Sequence, residues 1–394
     1  MANFLKIIFI VLIFSIRAYC TPVISTISSS NVQDNLLVTL NGSGFGSNDL
    51  DIEWLGGPSG NIESGTIGSH FSKTGWSADP DCEVSACQSK TPIYSSEYSH
   101  SGTKSILSII KDGAGYCAGI GADDNCITSS FEYTAPTEGG GYMSWWVRFH
   151  DDSGVFEQWK MWRVMCVGSL NVSDLNTHLM GSQWYNDDGT NFQSYSVDFY
   201  TCGANQNTTY APGTIIYQDQ WARQEVIIVP GTPGHFTYRS YRNGSVFVAR
   251  DADINLDSTN MKYWMFQNYV GNHTDGAFVS DAYIYIDDIY ISLSTSARIE
   301  LADTSSWSSR THSEIQCPAT WNNNEITFNV NQGSFSLNDT AYVFVIDSNG
   351  TPNATGETVT FTSGGGASAP SPRIGTSGPA MKISSGSPVT RIGN

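Results

Sequence analysis

The chain has 394 residues and a formal net charge of −18, with 14% charged residues beside 12% aromatics. Such a length, with that apolar content, supplies cores for two or three domains and excludes global disorder. The acidic balance excludes nucleic acid or an anionic membrane as the main partner, because both are held by clustered Lys and Arg.

Taken in order, Met1 to Lys6 forms a short n-region with one Lys, Ile7 to Ile16 an apolar run, and Ala18-Tyr19-Cys20 a cleavage-site pattern. Residues 1–20 therefore read as a signal peptide, and the mature chain as secreted or held at the cell surface. A lipid anchor on Cys20 is the alternative, although Arg17 and Tyr19 fit a lipobox poorly. No other segment approaches the eighteen apolar residues of a transmembrane helix.

Residues 21–48 read as two strands ending in the turn Asn41-Gly42-Ser43-Gly44-Phe45-Gly46. Residues 49–293 hold most of the Trp and Tyr in long period-two stretches, among them Tyr142 to Phe149, Phe156 to Val167, Trp221 to Val229, His235 to Tyr241, Met261 to Val270 and Tyr283 to Ser292. Each is bounded by Gly, Asn, Asp or Pro, and Asn243-Gly244 is a strong hairpin signal. Residues 294–363 give shorter strands. Residues 364–394 form a Gly, Ser and Pro tail whose composition predicts disorder. No segment sustains a helical apolar stripe, so the expected class is all-β.

In an exported chain, cysteine spacing suggests local disulfides between Cys82 and Cys87 and between Cys117 and Cys126. Cys166 and Cys202 could staple neighbouring strands, which leaves Cys317 single. Eight Asn-x-Ser/Thr sequons would carry glycans only in a eukaryotic host.

Two stretches resemble known families. Pro22-Val23-Ile24 with Leu37 to Gly46 resembles the opening of an IPT/TIG immunoglobulin-like domain, and the rest of that pattern reappears downstream in Arg298-Ile299-Glu300-Leu301, Glu314-Ile315-Gln316, Trp321 to Thr327, Tyr342 to Val345 and Thr358 to Phe361. The resemblance implies one immunoglobulin-like module split by an insertion, with two separate small β modules as the alternative. Tyr142 to Phe149, Gln220 to Val226, Tyr238 to Gly244 and Tyr285-Ile286-Asp287-Asp288-Ile289-Tyr290-Ile291-Ser292 resemble the concanavalin A-like jelly roll of lectins, laminarin-type glucanases and several polysaccharide lyases. The implied architecture is a jelly-roll sandwich inserted into, or flanked by, an immunoglobulin-like β-sandwich.

Strand alternation places Tyr142, Ser144, Trp146, Arg148 and His150 on one face, opposite the core face Met143, Trp145, Val147 and Phe149. Gln158, Lys160 and Trp162 group together, as do His235, Thr237, Arg239 and Tyr241, and Tyr263, Gln267 and Tyr269. Flat rings beside multidentate polar groups suit a sugar chain, and basic strand positions in an acidic protein suit an acidic polysaccharide. Similarity to β-eliminating lyases implies a cation or amide to neutralise a uronate, a base for the adjacent C–H and an acid for the leaving oxygen.

Lys160, His235, Arg239, Tyr241, Gln267 and Tyr269 are the catalytic candidates, and Trp146, Arg148, Gln158, Trp162 and Tyr263 the substrate-binding ones. The lyase signatures R-[ST]-E, Q-[IV]-H and Y-F-K-A-G are missing, as are the glucanase E-x-D-x-x-E and the G-x-S-x-G elbow. His70, His100, His178, His273 and His312 read as solvated loop residues. No cofactor is required, although Asp287-Asp288 could bind Ca²⁺ with loop carbonyls. The expected partner is a polysaccharide. The competing reading is a non-catalytic adhesion or structural protein of the cell surface.

Overall fold

The computed structural model describes residues 21–57, 60–79, 92–110, 125–126, 130–134, 141–151, 158–166, 178–185, 191–199, 207–210, 215–229, 231–242, 245–256, 261–271, 282–293 and 295–363. Residues 1–20, expected to be a signal peptide, residues 364–394 and Cys82, Cys87, Cys117 and Cys202 fall outside them. Cys126 and Cys166 are placed by their backbones only, in the strands Asn125–Cys126 and Gln158–Cys166.

The described residues build four sheets, arranged as an all-β assembly of two sandwiches with a jelly-roll sandwich at its centre. The terminal sandwich takes strands from both ends of the chain. Val23–Ile27 and Leu37–Ser43 pair with Pro318–Trp321 and Glu325–Asn329 in one sheet. Asn31–Val32 joins Glu357–Phe361, Thr340–Ile346, Arg298–Ala302 and Ser313–Gln316 in the other. Alternation sends Val38, Leu40, Ile326 and Phe328 from one sheet, and Ile299, Leu301, Val343, Val345, Val359 and Phe361 from the other, into one dry core.

The Gly-rich turn after Leu37–Ser43 has Gly44 and Gly46 at φ 74° and 73°, so that Phe45 between them drops into that core. Trp321 locks the turn by donating its indole N–H to the Phe45 carbonyl at 3.2 Å.

The chain leaves and re-enters this sandwich side by side. Ile52–Leu55 pairs with Ala282–Ser292, and Leu293 N–H bonds the Asp51 carbonyl at 3.1 Å. The described strands between those points form the central sandwich. Its inner sheet runs Ser245–Leu256, Gly231–Arg242, Ala222–Val229, Gly141–Asp151, Ala282–Ser292, Ser105–Ile110 and Ile93–Ser95. Its outer sheet runs Asn207–Tyr210, Asn191–Phe199, His178–Tyr185, Gln158–Cys166, Met261–Gly271, Ser130–Thr134 and Trp76–Asp79.

Trp145 of the inner sheet meets Trp162 and Phe266 of the outer one edge to face, at ring-centroid distances of 6.1 and 5.4 Å. These are large rings buried where two alternating faces meet. The opposite face of the inner sheet is covered by the terminal sandwich, with Tyr142 and Tyr290 packed on Ile315. The stack thus places the outer sheet furthest from the terminal sandwich.

One irregularity shapes the junction. Trp146 pairs with Asp287 but Ser144 with Tyr290, so Ala282–Ser292 carries an extra residue. Asp288 occupies this bulge at φ 48°, in the left-handed region that Asp tolerates better than most residues. The bulge allows two successive acids to be buried together, at 1% and 0% exposure.

Candidate functional site

The polar-aromatic face of the inner sheet is a junction between modules rather than an open trough. Arg223 lies at its centre and donates to Ser144 Oγ at 2.9 Å, Tyr142 Oη at 2.9 Å, Glu300 Oε2 at 2.9 Å and Ser313 Oγ at 2.7 Å. Glu225 accepts from Tyr142 at 2.7 Å, Arg239 at 2.9 Å and Tyr241 at 3.1 Å, while Arg298 donates to Glu300 at 2.6 Å. Burial alone would raise Glu225 and Glu300, but the guanidinium groups of Arg298 and Arg223 overcome it and hold both carboxylates below the usual range.

This arrangement corrects four sequence-based assignments. Tyr241 is 5% exposed, and burial with the Glu225 charge pushes its phenol upward, so it is a fixed donor rather than a base. Arg239 is ion-paired to Glu225. Trp146 is buried, with the His100 ring stacked on it at 3.9 Å. Arg148 is also buried, its guanidinium 3.7 Å from the Tyr98 ring centre and its Nη2 2.7 Å from Asp219.

A fifth candidate, Trp162, is fully buried between the sheets. Trp146, Arg148, Trp162 and Tyr241 present no open surface to a sugar, and Arg239, 34% exposed, is held by Glu225. His235 lies on Gly231–Arg242, paired with Val229 and Asp253, and so belongs to the inner sheet as well.

The remaining candidates lie together in the outer sheet. Gln158 and Lys160 belong to Gln158–Cys166, and Tyr263, Gln267 and Tyr269 to its neighbour Met261–Gly271. Lys160 is the register partner of Tyr269, and Gln158 that of Gly271 and of Tyr185. A second bulge follows immediately, because Trp162 pairs with Phe266 and leaves Gln267 and Asn268 opposite Met161. Bulges next to a polar cluster re-aim side chains and recur near active sites.

A site that sequence reasoning missed lies between the modules. His100, expected to be solvated, is 3% exposed. Its Nδ1 is 2.7 Å from Asp288 Oδ2 and its Nε2 is 3.5 Å from Glu314 Oε1. Glu314 also meets His312 Nε2 at 2.8 Å and Ser334 Oγ at 3.0 Å. Burial would lower the His100 imidazolium, yet Glu314 and then Asp288 outweigh it and raise the group. Burial likewise opposes the Glu314 charge, but His100 and His312 draw that carboxyl down to about 2. The spacing His312-x-Glu314 was the available signal, since alternation puts both on one side of a strand.

The Asp287-Asp288 pair does not fit Ca²⁺. Asp287 accepts backbone N–H groups from His100 at 2.8 Å, Ser101 at 3.3 Å and Asp288 at 2.8 Å. Asp288 Oδ1 accepts from Ser101 Oγ at 2.6 Å and Gly57 N–H at 2.9 Å. The carboxylates are surrounded by hydrogen-bond donors, where a calcium cage needs further oxygens.

Cys317 is a half-buried free thiol that burial pushes up to about 12. No described helix is long and apolar enough to cross a membrane.

No protein-family model matches the chain, and no curated protein is similar to it. Among solved structures, it is similar to the endo-β-1,4-glucuronan lyase of the fungus Trichoderma reesei, at 12% identity over 61% of this chain and 94% of that one, with a TM-score of 0.41. It is similar to the alginate lyase Aly36B at 16% identity over 61% and 96%, with a TM-score of 0.42. The marine PL-14 alginate lyase from Aplysia kurodai matches at 12% identity over 51% and 87%, with a TM-score of 0.38. At these values the likeness is no guide to chemistry, and function rests on this chain's own residues.

Proposed function

We propose that the protein is a secreted carbohydrate-active enzyme whose outer sheet binds an acidic polysaccharide and cleaves it by β-elimination. The observation that carries this reading is the register of the outer sheet, which sets Lys160 opposite Tyr269 with Gln158, Gln267 and Tyr263 on the same two strands. This layer is the one furthest from the terminal sandwich, and the inner sheet's polar face is already consumed by Arg223, Glu225, Arg298 and Glu300.

Gln267 is the amide that binds the uronate carboxylate and makes the adjacent C–H more acidic. Tyr269 takes that proton as a phenolate and returns it to the departing glycosidic oxygen, while the C–H electron pair becomes the new C=C bond. The Lys160 ammonium opposite it favours the phenolate, as a neighbouring cation does. Tyr263 and Gln158 hold flanking sugars by stacking and hydrogen bonding.

Within this reading residues 1–20 are the signal peptide and the six paired cysteines are oxidised. The terminal sandwich is an immunoglobulin-like carrier of the IPT/TIG kind.

The test is incubation of the mature protein with a panel of uronic-acid polysaccharides, following the absorbance of the unsaturated product. Cleavage by wild type, with rates lower by a factor of about 10² or more in Lys160→Ala and Tyr269→Phe, supports the reading. Retention on a glycan without product overturns the lyase step. Neither product nor retention returns the protein to the adhesion class.

A further inference from the structure

The junction between the two sandwiches holds two imidazoles and a carboxylate that the proposed chemistry does not use. His100 comes from the loop before Ser105–Ile110 in the central sandwich, whereas His312 and Glu314 come from the terminal sandwich, at and just before Ser313–Gln316. Ligand atoms of His100, Asp288 and Glu314 lie within 4.8 Å of one another, and all three residues are buried. His312 Nε2 stands 2.8 Å from Glu314 Oε1 and 2.9 Å from Ser334 Oγ.

Two atoms at this point lack hydrogen-bond partners although they are shut away from water: His100 Nε2 and Glu314 Oε2. Buried polar atoms are rarely left so, and each such case calls for a cause. The two atoms belong to side chains from different modules that already approach each other, His100 Nε2 lying 3.5 Å from Glu314 Oε1.

We propose that His100 Nε2, His312 Nε2 and the Glu314 carboxylate bind a zinc-type divalent transition metal that staples the central sandwich to the terminal one. Ligand atoms around tetrahedral zinc are about 3.3 Å apart, given bonds of roughly 2.0–2.1 Å. The contacts from Glu314 Oε1 to His312 at 2.8 Å and to His100 at 3.5 Å bracket that value. His312 stands just outside the set of ligand atoms that lie within 4.8 Å of one another, so the two imidazoles draw together about Glu314 when the ion binds.

Asp288 supplies the outer partner such a site requires. It holds Nδ1 of His100 at 2.7 Å, which fixes the tautomer and leaves Nε2 as the ligand atom. Trp146 stacks on the same ring at 3.9 Å and fixes its plane. The Ser334 hydroxyl or a water completes four-coordination. His312, 22% exposed, provides the entry side.

Imidazole donors favour zinc-like ions over calcium or magnesium, which take oxygen. Three protein ligands drawn from both modules, deep in a junction, make the role one of cross-linking. This assignment is independent of the lyase reading, because it lies in a different layer from Lys160 and Tyr269.

The experiment uses the full mature chain, stripped with a chelator and then titrated with Zn²⁺ and, separately, Co²⁺. The expected results are one equivalent bound with micromolar or tighter affinity, a rise in the thermal midpoint on adding Zn²⁺, and visible d–d absorption of tetrahedral Co²⁺. Glu314→Gln and His312→Gln should each weaken binding at least tenfold, as loss of a ligand does. His70→Gln, in a short bridge elsewhere, should bind as wild type. The wild-type titration does not depend on any variant folding. No saturable binding, or stoichiometric binding that survives both ligand variants, would overturn the assignment.

Discussion

Arg223, Glu225, Arg239 and Tyr241 of the inner sheet are tied to one another and to Arg298 and Glu300 of the terminal sandwich, whereas Gln158, Lys160, Tyr263, Gln267 and Tyr269 of the outer sheet lie in the layer furthest from it. Both sets show the same sequence signature, rings and polar groups alternating with apolar residues. The inner set is covered by the terminal sandwich. Alternation reports that one face of a strand is polar, and says nothing about whether water, a sugar or another domain meets that face.

The sharpest test exchanges the two tyrosines. Tyr269→Phe should reduce polysaccharide cleavage by a factor of about 10² or more, while Tyr241→Phe should leave turnover within about twofold and lower stability by about 1 kcal/mol through the lost bond to Glu225. Steady-state rates and urea denaturation on the same preparations would read both effects. The opposite pattern would return the active face to the inner sheet.

Next in size is the buried charge network. Removing one partner of such a cluster leaves an uncompensated buried charge and costs about 3–5 kcal/mol. Arg223→Ala or Glu300→Ala should therefore destabilise by that amount, since both side chains are at most 2% exposed. The paired replacement Arg223→Met with Glu300→Leu should recover much of the loss. A cost under about 1 kcal/mol for the single variants would mean that the modules separate readily and that the inner face is open in solution.

Much of this was legible in the sequence. Period-two stretches bounded by Gly and Asn announced an all-β chain, and the G-S-G-F-G turn with the downstream strands Arg298–Ala302 and Glu325–Asn329 pointed to segments that the fold places in one sandwich. The lyase-like candidates all fall on strands, but the sequence reading merged two layers into one trough. Spacing alone cannot reveal that Glu300 and Ser313, 77 and 90 residues further on, will close over Arg223 at the centre of that face.

His100 was invisible for a related reason. A lone His in a polar loop reads as solvated until the bulge at Asp288 and the strand of Glu314 close around it.

The third test concerns that same acidic junction. Asp34 accepts the Gln332 N–H at 2.6 Å, and burial, with the Asp288 and Glu314 charges, raises its carboxyl from 3.8 to about 6. A folded-state value above the unfolded one means the folded protein holds the extra proton between those limits. The associated stability is present below about pH 4 and lost as pH rises through about 6. In chelator, stability should fall by roughly 2 kcal/mol across that window. Asp34→Asn should remove the slope and stabilise the protein at pH 7 by a similar amount, because the amide oxygen still accepts from Gln332. An unchanged pH profile would place the carboxyl in water.

The smallest expected effect lies at the rim of the inner sheet, where coverage ends. Asp219 pairs with Arg148 at 2.7 Å and His150 at 2.9 Å, but its side chain is 47% exposed. It also sits in a turn at φ 65°, a conformation that Asn shares with Asp. Asp219→Asn thus removes the charge while keeping the backbone. Solvent screening limits the loss to at most about 1 kcal/mol, shrinking further in high salt. Against the 3–5 kcal/mol expected at Arg223, this small and salt-sensitive change would mark where the terminal sandwich stops shielding the sheet. A large, salt-independent loss would extend the junction over Arg148 as well.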